Sequence, residues 1–121
     1  MLEYDVVVEG VGVTRGGRHV TDGELRGYLA ASVVRWSIHG ADEADADRRG
    51  LDEVLTALAE TGHVVEQYPE GQRGPSCLVL AWLPSHQPVH AVIGFGREPW
   101  TLVTVYRPDP IQWTEDFTRR R

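Results

Sequence analysis

Two short segments carry the residue types that can move protons or grip phosphate. Pro88-Val89-His90-Ala91-Val92-Ile93 sets one histidine in an apolar, β-branched run, and Thr104-Val105-Tyr106-Arg107-Pro108-Asp109 holds a hydroxyl, a phenol and a guanidinium close together. A histidine can act as general base or acid, and an arginine can stabilise the charge that develops on a phosphorane. Read as strands, strict alternation puts His90, Val92 and Gly94 on one face, with Ala91, Ile93 and Phe95 on the other. In the next strand it puts Leu102, Thr104 and Tyr106 together, opposite Thr101, Val103, Val105 and Arg107. If His90, Thr104 and Tyr106 share the open side of the sheet, they form a polar strip beside Tyr68 and Glu66. A histidine of that strip together with an arginine is the minimum equipment for cleaving RNA through its 2′-hydroxyl without a metal. The plainer reading is strand composition, because Thr and Tyr are common on half-exposed sheets.

A second constellation joins His39 to Arg48 and Arg49, which one helix could carry to the sheet; a solvated charged helix explains the same residues. The histidines at 19, 39, 63, 86 and 90 form no helical i, i+4 pair, and His86 and His90 are split between a turn and a strand by Pro88. No metal site and no cofactor are therefore expected. The lone cysteine, Cys77, sits in Cys77-Leu78-Val79-Leu80 and reads as a small buried hydrophobe. No phosphate-binding loop or nucleophile elbow is present, and Gly10-Val11-Gly12 lacks the third glycine of a dinucleotide fingerprint.

These residues need a scaffold, and the periodicities supply one. Residues 4–13 are β-branched and predict a strand, followed by a glycine turn over 14–19. Thr21-Asp22-Gly23-Glu24 has the form of a capping box and starts a helix over 22–35, with Leu25, Tyr28 and Leu29 at helical spacing. The alanines at 41, 44 and 46 make a further short helix plausible within the acidic stretch. Leu51, Val54, Leu55 and Leu58 repeat at i, i+3, i+4 and i+7, and Gly62 stops that helix. The period then becomes that of strands, over 64–68, 76–83, 89–95 and 100–107. The second of these is apolar almost throughout and so belongs at the centre of the sheet. Short connections predict an antiparallel meander. The final stretch, Ile111 to Phe117, predicts a turn or short helix, and Arg119-Arg120-Arg121 a solvated, frayed tail.

The 121 residues suit one domain, and the 41% hydrophobic and 25% charged content is ordinary for a globular protein. The net charge is −6 and every basic residue is an arginine. An acidic chain is a poor general binder of nucleic acid, so any RNA contact must come from a local basic patch. No run of about 18 apolar residues exists to span a membrane, and Met1-Leu2-Glu3-Tyr4-Asp5 lacks the features of a signal peptide. The expected location is cytoplasmic, with no membrane partner.

The stretch from about Trp36 to Phe117 resembles a bacterial family, domain of unknown function 4258. The resemblance runs through Ser37-Ile38-His39, Arg49-Gly50-Leu51, Gly62-His63-Val64-Val65-Glu66-Gln67-Tyr68-Pro69 and Gly74-Pro75-Ser76-Cys77-Leu78-Val79-Leu80. It continues through the two segments around His90 and Tyr106 and closes at Trp113. That family looks like the RelE/MqsR-type toxins, small α+β ribonucleases paired with antitoxins. The resemblance implies an α+β fold with helices packed on a mainly antiparallel sheet of four to five strands. Residues 36–121 would form the RelE-like domain and residues 1–35 a strand–helix extension within the same compact unit. It implies a metal-independent endoribonuclease neutralised by a cognate antitoxin-like protein, with RNA as the other partner. His90, Tyr106 and Arg107 would be catalytic, and His39, Arg49, Tyr68 and Thr104 would contact RNA. The rival expectation is a non-catalytic interaction module, an accessory or immunity-like protein, gripping its partner through the sheet face or the Trp100 and Trp113 region.

Overall fold

The computed structural model describes residues 19–32, 34–36, 48–71 and 74–121. Among them the chain forms an α+β fold: α1 (Asp22–Ala31), β1 (Arg35–Trp36), α2 (Arg48–Thr61), β2 (His63–Tyr68), β3 (Ser76–Trp82), β4 (Pro88–Gly94) and β5 (Thr101–Tyr106). The strand expected over 4–13, the acidic stretch over 41–47 and His39 lie outside the described residues. No helix among the described residues is long and apolar enough to cross a membrane.

α1 starts as its sequence predicts. The Glu24 N–H donates to the Thr21 hydroxyl at 3.1 Å, and the Thr21 N–H donates to the Glu24 carboxylate at 3.0 Å. It stops earlier than expected, at Ala31, where Ser32 turns extended. Arg35 and Trp36 join the sheet, and the Arg35 N–H donates to the Trp100 carbonyl at 2.8 Å. α2 turns Leu51, Val54, Ala57 and Leu58 into the core. It ends where Gly62 passes so close to the helix that a Cβ there would lie 2.4 Å from the Leu58 carbonyl oxygen. A side chain at 62 is excluded by that contact.

The sheet runs β1-β5-β4-β3-β2. β2 to β5 form the antiparallel meander, and β1 adds a two-residue parallel pairing, Arg35 with Thr101 and Trp36 with Leu102. Two bulges reset the faces. One lies in β2 between Val64 and Glu66, and the other lets Val92 pair with Thr104 while Ile93 pairs with Leu102. Strict alternation therefore fails in β5. Leu102 does not share a face with Thr104 and Tyr106; it sits in the helix-side core with Ile93 and Val105.

That core joins Leu25, Leu51, Val54 and Leu58 of the helices to Cys77, Val79, Ala81, Ala91, Ile93 and Leu102 of the sheet. Cys77 is one of its buried hydrophobes, and burial pushes its thiol up to about 12. α1 is bolted to the edge of β2. The Asp22 carboxylate accepts from the Val64 N–H at 2.8 Å and meets the His63 ring at 2.7 Å. The Gln67 amide bonds both backbone groups of Val20, and the Arg26 guanidinium donates to the Gly62 carbonyl. Asp22 thereby covers one backbone group, the Val64 N–H, that the edge strand would otherwise present to another chain. Tyr28 stacks on Trp100 with ring centroids 3.9 Å apart, and its hydroxyl accepts from the Trp100 N–H. Trp100 is thus a buried brace, not a partner-gripping surface residue.

Leu58 has no solvent exposure, so Leu58→Ala should cost about 2–5 kcal/mol of stability in urea unfolding. Ile111, 80% exposed, serves as the control, and Ile111→Ala should change stability by less than about 0.5 kcal/mol.

Candidate functional site

The candidate residues gather on the sheet face opposite the helices. β3 contributes Leu78 and Leu80, and its neighbours bring Glu66 opposite Leu78, Tyr68 opposite Ser76, and His90 opposite both Leu80 and Tyr106. This face is not open, as the sequence led one to expect. The chain after β5 folds back across it, placing Trp113 (2% exposed) and Phe117 over the strands.

His90 lies at the centre with no solvent exposure. Its Nε2 lies 2.9 Å from the Phe117 carbonyl oxygen, which can only accept, so Nε2 carries the proton. Its Nδ1 lies 3.2 Å from the Tyr106 hydroxyl, which then donates to it. The Trp113 ring stands edge-on to the imidazole, with centroids 4.4 Å apart. Burial holds His90 below its ordinary value, outweighing the Phe117 carbonyl and the Glu66 carboxylate, which favour the charged form. The ring is therefore neutral at pH 7. Burial also raises the Tyr106 phenol.

A second polar group flanks it. The Arg120 guanidinium donates to both Glu66 carboxylate oxygens, at 2.8 and 3.2 Å, and lies 4.7 Å from the centroid of Trp113. Trp113 thus touches both an imidazole and a guanidinium. The Tyr68 hydroxyl donates to the same Glu66 carboxylate. Arg120 holds Glu66 below the usual carboxylate range, and burial with the Glu66 charge pushes Tyr68 up to about 12. Arg120 is accordingly no frayed tail residue.

The structure brings together His90, Tyr106, Tyr68 and Thr104 from the sequence-derived candidates. It separates Arg107, which follows Tyr106 on the alternate side of the strand, is exposed, and bonds the Gln87 side chain. Arg49 lies in the first turn of α2. Sequence reasoning missed Arg120 and the covering role of Trp113. A signal existed: Leu78 and Leu80 alternate with Cys77, Val79 and Ala81, so β3 is apolar on both faces and must be covered on both. Among the described residues no group of three His, Cys, Asp or Glu side chains could hold a metal ion.

The family model for the domain of unknown function DUF4258 matches residues 36–107. The chain belongs to this family. No curated protein and no solved structure matches it. The match contains His90, Tyr106, Glu66 and Tyr68 and ends with β5, so the covering segment 108–121 lies beyond the matched stretch.

The lowered His90 gives a pH test. Between neutrality and the ordinary histidine value of 6.5, the unfolded chain begins to take up a proton that folded His90 refuses, so stability falls as pH drops. Asp22 and Glu66, both lowered, lose their stabilising share only further down, below the ordinary carboxylate values of 3.8 and 4.5. Thermal unfolding should therefore show Tm falling from pH 7.5 to 5, and His90→Gln should flatten that slope.

Proposed function

We propose that this chain is a metal-independent endoribonuclease of the RelE-like toxin type, acting in the cytoplasm and neutralised by a cognate antitoxin-like protein. The observation that carries the reading is the hydrogen-bonded His90–Tyr106 pair, set on the same sheet face as Glu66 and Tyr68 and within the DUF4258 stretch. RNA cleavage of this kind needs one group to take the 2′-hydroxyl proton and another to give a proton to the departing 5′-oxygen. The 2′-oxygen bonds phosphorus, the P–O5′ bond breaks, and a 2′,3′-cyclic phosphate and a 5′-hydroxyl result. His90 is the principal proton-transfer group, and Glu66, a carboxylate on the same face whose charge acts on His90, complements it. Tyr106 and Tyr68 orient or stack the RNA beside Thr104. Arg107, set apart from the His90 face, would contact phosphates flanking the cleaved bond rather than the scissile one, with Arg49 and His39 as further RNA contacts.

One observation favours the alternative, a non-catalytic interaction module of accessory or immunity-like type: both nitrogens of His90 are already bonded and its ring is out of solvent.

Induced expression in a bacterial host, with RNA ends mapped over time, separates the two. The nuclease reading expects growth arrest and new ends bearing 2′,3′-cyclic phosphate. His90→Gln should lower the cleavage rate by about 10²-fold or more. Intact RNA and normal growth with soluble, folded wild-type chain would remove the nuclease and leave the module.

A further inference from the structure

The segment that covers the candidate site is built differently from the rest of the sheet. Its backbone hydrogen bonds among the described residues close on itself: Gln112 and Trp113 to Asp109, Thr114 to Arg119, Phe117 to Thr114, and Arg121 to Gln112. Its side chains do the same, with Asp116 accepting from Thr114 and Thr118, and Arg121 donating to Pro110. The ties to the sheet are of another kind. They include Trp113 against His90, Phe117 against Trp82, the Phe117 carbonyl on His90, and Arg120 on Glu66 and Tyr68. No strand ladder is broken when such a unit lifts, so it can open without unfolding the sheet, at the cost of uncovering Trp113. Arg120, the outermost tie, has a side chain 60% exposed and is open to salt.

We infer that residues 108–121 form a latch that leaves the His90–Tyr106 face as a unit, with the Arg120–Glu66 ion pair setting how often it does so. The latch closes a site whose acid–base groups all come from the family-matched stretch, while it lies outside that stretch itself. In the closed form the Phe117 carbonyl occupies the protonated nitrogen of His90, and Arg120 occupies the carboxylate that would take part in proton transfer. Opening frees both at once. Its effect on RNA chemistry rests on the function proposed above; the opening itself does not.

Hydrogen–deuterium exchange on the full chain, read by peptide, tests the opening. Amides of 108–121 should exchange ahead of those of β3 and β4 and without denaturant. Arg120→Ala should speed them by about two- to fivefold, the range for an exposed pair. Glu66→Gln should do the same, and added salt should speed the wild type more than Arg120→Ala. Exchange of 108–121 only in step with β3 and β4 would overturn the latch. RNA cleavage is then compared. Where the wild type cuts RNA, Arg120→Ala should raise the rate by the same factor, and an unchanged or lower rate would overturn the latch as a control of activity. If exchange behaves as described and neither chain cuts RNA, the nuclease proposal falls and the latch stands.

Discussion

Two strands that are buried on both faces set the terms for everything else in this molecule. β3 and β4 lie inside the sheet, and each needs a cover on either side. Burying apolar area is worth roughly 25 cal/mol per Å², so a face left wet forfeits several side chains' worth of stabilisation. On one side α1 and α2 meet the need with Leu25, Leu51, Val54 and Leu58. On the other, no helix lies among the described residues. A segment rich in turns does the work, and its anchor is one tryptophan.

The second cover differs from the first because the strands beneath it are not purely apolar. His90 sits where a leucine would pack without penalty. A buried imidazole is tolerated only if its hydrogen-bonding groups are satisfied, and Phe117 and Tyr106 satisfy them. The arrangement fixes the tautomer, since the carbonyl demands the proton on Nε2. It also makes the cover and the histidine mutually dependent. Trp113 packs against both the imidazole and the Arg120 guanidinium, and His90 needs the carbonyl that the same segment brings. Chemistry and stability therefore meet at one residue.

Much of the architecture could be read from the chain because local signals agreed with the global fold. The capping box at Thr21, the i, i+3, i+4, i+7 leucines and valine of α2, and the strand periods after Gly62 all match their elements. The faces were less legible. A bulge at Val92 and Ile93 moves Leu102 into the helix-side core, and nothing in the local composition announces a bulge. The site was legible in its strand residues and not in its cover. His90 and Tyr106 meet because antiparallel register makes them partners, whereas Arg107 points away by the same pleat. Arg120 was hidden because its role depends on a chain reversal after Pro110, which composition does not encode. Trp113 and Phe117 could have given it away, being large apolar groups that follow the last strand with no helix period to bury them.

The central claim is that His90 is a closed, neutral, doubly bonded imidazole beneath the 108–121 segment. Its direct measure is the NMR titration of the His90 ring in the full chain. The structure predicts an Nε2–H tautomer at neutral pH and a pKa below the ordinary 6.5. A ring that titrates freely at 6.5 or above, or that carries its proton on Nδ1, would contradict the account.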